Sequence, residues 1–208
     1  MSTRRAVIVD YGLCNIDSVA RAVEECGADV VVTSDPAELE RGNHLILPGV
    51  GAFGDAMSQL EARGLVEPLR ELAGKRGIPF LGICLGMQLM GTRGEEGGER
   101  AGLGLVAGTV TRLVPTQTDP RVPHIGWNEV HHAKPSPLFD GIPSGKDFYF
   151  VHSYHFANDR DDSVVARTPY CGQFTSVIQG GPAMFGVQFH PEKSQRVGRK
   201  LLENFMAM

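Results

Sequence analysis

The sequence has no apolar run long enough to cross a membrane, no block of like charge and no closely spaced pair of cysteines. Each absence removes a class of protein. A membrane helix needs about 20 consecutive apolar residues, and no segment here approaches that length. A secretory signal is not expected either, because Met1 to Arg5 is followed only by Ala6 to Val9 before Asp10 ends the apolar run. Chains that bind nucleic acid or anionic membrane normally carry a basic patch. This one has 20 Lys and Arg against 24 Asp and Glu, with a formal net charge of −4 and a pI near 6.0, so no nucleic acid and no membrane is expected as partner. The four cysteines, Cys14, Cys26, Cys84 and Cys171, form no C-x-x-C pair. That spacing speaks against a zinc site and, without a signal, against a disulfide framework. Free thiols in a cytoplasmic protein, with no metal and no cofactor, are the expectation.

What remains is an ordinary globular composition, 42% hydrophobic and 21% charged over 208 residues, which suits one α/β domain over 1–208. Ala6-Val-Ile-Val-Asp10 is short, β-branched and apolar on both faces, as a buried parallel strand requires. Asn15 to Cys26 places Ile16, Val19, Ala20 and Val23 at helical spacing, with Gly27 as a stop. Strands are expected again at Asp29–Val32, His44–Leu47 and Pro79–Ile83, with helical patterning over Asp55–Arg63, over Leu65–Ala73 and from Leu85. Alternation of this kind predicts a mostly parallel sheet covered by helices, with its site at the carboxyl ends of the strands. After Gly108 the texture changes. Short apolar segments at 147–151, 163–166, 174–178 and 183–187 predict an antiparallel extension, and a last helix is expected from about Gln195 to Met206.

Three segments carry chemistry. Gly82-Ile-Cys-Leu-Gly86 is a G-x-C-x-G pattern at a strand-to-helix junction, the cysteine form of a nucleophile elbow. Its glycines permit a crowded turn that exposes the sulfur, and the helix start favours a thiolate. A buried structural cysteine in a glycine-rich turn is the alternative. His190-Pro191-Glu192 follows an apolar stretch near the chain's end; in extended backbone, residues two apart point to one side, so Glu192 can hold the His190 imidazole. A nucleophilic cysteine needs such a base and orienter. Pro48-Gly49-Val50-Gly51 leaves backbone N–H groups free at a strand end, and the Val50 and Leu85 amides are expected to form an oxyanion hole. No Lys-Ser/Thr pair follows it, as a phosphate-binding loop would require.

Six stretches together resemble the glutaminase subunits of imidazole glycerol phosphate synthase, which are class I glutamine amidotransferases: Asp10-Tyr-Gly12 with Asn15, Leu47 to Gly54, Gly82 to Gln88, Pro123-His-Ile-Gly-Trp-Asn128, Tyr149-Phe-Val-His-Ser-Tyr154 and Gly186 to Ser194. The cysteine and F-H-P-E motifs are common to class I amidotransferases; the G-W-N and Y-F-V-H-S-Y stretches point to the synthase. The resemblance implies the flavodoxin-like, three-layer α/β fold of that class, a Cys84–His190–Glu192 triad, and Val50 and Leu85 as oxyanion donors. It also implies that Gly51, Gln88, Glu96, Ser153 and Tyr154 hold the ends of glutamine, and that Asn15, Trp127, Tyr149 and Lys193 face the cyclase subunit in a heterodimer. Cys14 departs from the pattern, standing where a glycine is usual. Two other functions are weighed against this one. A class I glutaminase serving anthranilate or pyridoxal phosphate synthesis would share the cysteine motif but not Gly126-Trp-Asn128 and Lys193, and a silent binding subunit would not need the triad.

Overall fold

The structure is a computed structural model and describes residues 4–208; the reading of the first three residues as no part of a signal lies outside it. In chain order the first half comprises β1 (Arg5–Val9), α1 (Ile16–Glu24), β2 (Asp29–Thr33), β3 (His44–Gly49), α2 (Phe53–Ala62), α3 (Val66–Leu69), β4 (Phe80–Cys84) and α4 (Leu85–Leu89). The second half adds the two-residue strands β5 (Arg93–Gly94) and β6 (Arg100–Ala101), then β7 (Gly108–Arg112), β8 (His124–His132), β9 (Lys146–His152) and β10 (Tyr154–Asn158). It closes with β11 (Val164–Thr168), β12 (Phe174–Gly181), β13 (Met184–Val187) and α5 (Gln195–Phe205).

Five strands, in the order β2-β1-β3-β4-β13, are parallel neighbours. Strand β13 then pairs antiparallel with β12, which leads through β10 and β7 to the far edge, while β11, β8 and β9 branch off β12. Side chains alternate across a strand, so β1 feeds two cores. Ala6 and Ile8 pack with Val19 and Val23 of α1 and with Leu201, Leu202 and Phe205 of α5. Val7 and Val9 pack with Phe53, Met57 and Leu60 of α2 on the opposite face. Burying each large apolar side chain contributes roughly 1.5–3 kcal/mol, and two filled faces give the expected three-layer α/β architecture.

Two local expectations need correction. The patterning over Leu65–Ala73 yields only a short α3, which continues as a widened turn through Lys75, with Arg76 N–H donating to the Glu71 carbonyl at 2.9 Å. The antiparallel half also holds more strand than the apolar segments indicate. Strand β8 pairs with β9 from His124↔His152 to Val130↔Lys146, and β7 pairs with β10.

The junction of β4 and α4 fixes the elbow. Gly86 packs so closely on β3 that a Cβ there would lie 1.7 Å from the Leu47 carbonyl oxygen, and a Cβ on Gly82 would lie 2.7 Å from the Gly86 oxygen. Both contacts are to backbone, which cannot swing aside. We therefore expect Gly86→Ala to destabilise the chain by at least about 3 kcal/mol in urea unfolding, the severe end of overpacking, whereas a loss under about 1 kcal/mol would show that the helix start can shift.

Candidate active site

Strands β3, β4 and β13 lie side by side and run parallel, so their carboxyl ends bring Val50, Cys84 and the segment after β13 to one place. Cys84 itself has φ 54° and ψ −108°, a conformation that a non-glycine residue holds only when its surroundings impose it. Its Sγ is 3.9 Å from the Val151 carbonyl, which can take the thiol proton in a hydrogen bond, and 3.6 Å from the Gln188 amide nitrogen.

His190 lines the same cavity as Cys84. Its Nδ1–H donates to Glu192 Oε1 at 2.8 Å, and the Glu192 side chain is 1% exposed. The tautomer this bond requires leaves Nε2 unprotonated when the ring is neutral, and that atom is buried. Burial works against the imidazolium, but the charge that Cys84 carries when ionised, followed by Glu192, outweighs burial and raises His190 to about 10. The ring's backbone is also clamped: His190 N–H donates to the Tyr149 carbonyl at 2.9 Å, and Ser194 Oγ donates to the His190 carbonyl at 2.6 Å. The same Ser194 hydroxyl accepts from Tyr149 N–H at 3.0 Å, tying the catalytic turn to β9.

The cavity, about 520 Å³, brings together every residue expected to act on glutamine: Val50, Gly51, Cys84, Leu85, Gln88, Glu96, Ser153, Tyr154 and His190, with Glu192 behind. Glu96 also accepts the Phe53 N–H at 2.8 Å and so caps α2 beside the Val50 loop. The two amides expected to act as oxyanion donors stand differently. Leu85 N–H opens α4 and has no intrahelical partner. Val50 N–H donates to the Leu13 carbonyl at 2.8 Å, in the loop after β1, and so is turned to that loop rather than to an oxyanion.

Of the four residues expected to face a partner, three form a cluster. Trp127 and Tyr149 are cross-strand neighbours in an edge-to-face contact at 6.0 Å, and Lys193 Nζ stands 5.9 Å over the Tyr149 ring. Asn15 is exposed at the start of α1, in the loop that holds Val50. Sequence reasoning gave no role to Ala52 and Val151, which also line the cavity, nor to Gln188. The signal for Gln188 is its register: Val187 pairs with Ile83, which sets the next residue beside Cys84.

A buried imidazole held by a carboxylate and a strained cysteine at a strand-to-helix turn, lining one cavity, are the parts of a thiol-dependent amide hydrolase. The chain belongs to the class I glutamine amidotransferase family: the family model described as glutamine amidotransferase class-I matches residues 7–208. It is 50% identical to the imidazole glycerol phosphate synthase subunit HisH of Moorella thermoacetica, over 97% of this chain and 94% of that one. The HisH subunit of Desulfitobacterium hafniense is 46% identical over 95% of this chain and 92% of its own length. Among solved structures, PurLQS from Thermotoga maritima superposes with a TM-score of 0.76 at 20% identity, covering 99% of this chain and 98% of that one, a likeness of fold alone.

Burial pushes up the thiols of Cys14, Cys26 (to about 11) and Cys171, whereas Cys84 has a base beside it. We expect a glutamine-like electrophile at neutral pH to label Cys84 at least about tenfold faster than the other three, read by peptide mass mapping. Faster labelling at another cysteine would overturn the assignment of the nucleophile.

Proposed function

We propose that this chain hydrolyses glutamine to glutamate and ammonia, and supplies the ammonia to the cyclase subunit of imidazole glycerol phosphate synthase in histidine biosynthesis. The observation that carries the reading is the cavity in which Cys84 and His190 meet beside Gln88, Glu96, Ser153 and Tyr154. The identity with HisH subunits supports the particular synthase. One domain carries the whole activity, in the cytoplasm.

Each step uses groups that line the cavity, and one of them, the Val50 N–H, must first turn. The Cys84 thiolate attacks the glutamine carboxamide carbon, and the oxyanion forms against Leu85 N–H and, once it has turned, Val50 N–H. His190, held by Glu192, gives its Nε2 proton to the departing ammonia and then deprotonates the water that hydrolyses the γ-glutamyl thioester. Gln88, Glu96, Gly51, Ser153 and Tyr154 hold the amino and carboxylate ends of the substrate.

The partner would dock on the exposed side of the β8–β9 pair. Ile125 is 61% exposed, Trp127 48% and Val151 36%, and they share that face with Tyr149 and Lys193. Exposed apolar side chains gathered on one face suit a protein partner. Val151 also lines the cavity, so the face and the glutamine site are continuous. With Asn15 on the neighbouring loop, docking there would form a heterodimer and give ammonia a path shielded from water.

Cys84→Ala in the assembled synthase should abolish product formation from glutamine while leaving synthesis from added ammonium salt intact, most readily at alkaline pH where more ammonia is unprotonated. Trp127 or Lys193 variants should instead weaken assembly or release glutamate in excess over product. Loss of ammonia-dependent synthesis in an assembled Cys84→Ala complex would contradict this division of labour.

A further inference from the structure

Gln188 is a fully buried amide one residue beyond β13, and neither the triad nor the oxyanion hole uses it. One end of its side chain lies 3.6 Å from Cys84 Sγ. Which end it is decides its effect, since an N–H donor stabilises a thiolate and a carbonyl oxygen repels it.

The surrounding hydrogen bonds settle the direction. The Tyr154 carbonyl can only accept, so Gln88 presents its amide nitrogen there, at 2.9 Å. The second hydrogen of that nitrogen goes to Gln188, 3.1 Å away, which must offer Oε1 and is left with its Nε2–H toward the sulfur. The Tyr154 carbonyl is itself fixed by His152, whose Nδ1–H donates to it at 2.9 Å. Burial depresses His152 to about 3 and His124 to about 4, so both rings are neutral near pH 7. His152 Nε2 then accepts from His124 Nδ1 at 3.1 Å, and His124 Nε2 accepts from Asn128 Nδ2 at 3.2 Å. Asn128 Nδ2 donates in turn to the Pro169 carbonyl at 3.0 Å. Every polar hydrogen in the chain is assigned by an acceptor-only carbonyl at Tyr154 or Pro169, and the chain runs from the strand that bears Trp127 to the nucleophile.

We propose that Gln188 is a further catalytic residue, whose amide N–H donates to the Cys84 thiolate and is held in that orientation by Gln88 and the Tyr154 carbonyl. The inference rests on the reading of Cys84 as nucleophile. Titratable groups around the sulfur include His190 with Glu192 behind it after β13, Tyr11 after β1 with Cys14 beside that ring, His152 at the end of β9, and Tyr154 and Glu96 in the cavity lining. A change confined to Gln188 leaves all of them in place.

The test is the pH profile of Cys84 alkylation by iodoacetamide in the full chain, for the unmodified protein, Gln188→Met and Gln188→Glu. Met fills a similar volume without a donor, and Glu puts a carboxylate against the sulfur. The half-maximal pH should rise by at least about half a unit in the Met variant, roughly a threefold loss of reactivity below the midpoint, and further in the Glu variant, with plateau rates little changed. In the unmodified chain the Gln188 side-chain amide proton resonance should move through the same midpoint, a reading that needs no variant to fold. An unshifted profile in a folded variant, or a flat Gln188 resonance across that range, would overturn the proposal. If Cys84 is not the preferred site in the unmodified chain, the underlying reading fails instead.

Discussion

The site depends on one crowded turn. Cys84 is held in a left-handed conformation between β4 and α4 because Gly86 lets the helix start lie directly on the Leu47 carbonyl. Backbone strain of this kind costs of order 1–3 kcal/mol and persists only where packing over-determines it. Here the packing comes from the parallel ladder itself. Strand β4 is flanked by β3 and β13, whose registers place Gly49 opposite Cys84 on one side and Val187 opposite Ile83 on the other. The same neighbours deliver the Val50 amide and the His190–Glu192 pair, so one constraint positions the cysteine, the proposed oxyanion donor and the base together.

The second dependence is an opposition between two hydrogen bonds that the Val50 N–H cannot make at once. It is bonded to the Leu13 carbonyl, and an oxyanion would have to win it from there. In other hydrolases, removing one such donor costs about 2.7–4 kcal/mol of transition-state stabilisation, enough to make the chain a slow enzyme while its triad is intact. The glycines on both sides of Val50 make the peptide inexpensive to turn, and Gly51 already has a φ of 101°. The loop that holds Val50 carries Asn15, and the face bearing Tyr149 holds His190 through Ser194. Both halves of the machinery are therefore tied to residues proposed to meet the partner.

The parallel half of the fold was legible because its strands are apolar on both faces and the helices between them keep a 3.6-residue period, as at Val19 and Val23. The triad was legible because a strand-end cysteine between glycines and an H-P-E turn are rare together. Strand β8 was not, for a physical reason. Ile125 and Trp127 stay exposed, Gly126 sits at φ 131° and its buried positions include His124, so neither alternation nor β-branching marks it. The widened turn after Leu69 was not legible either, since a helical period over Leu65–Ala73 does not reveal where the turn widens. Gln188 was quoted in a motif without a role because only the pairing of β13 with β4 places it beside the sulfur.

The central claim is that the triad stands ready while the oxyanion hole waits for Val50 to leave Leu13. The most direct measurement is steady-state glutaminase kinetics of the isolated chain and of its complex with the cyclase subunit and nucleotide ligand. The account predicts a kcat that rises by orders of magnitude on assembly, with a much smaller change in KM, as for a donor engaged mainly in the transition state. An isolated chain that already turns over glutamine at the rate of the liganded complex would contradict it.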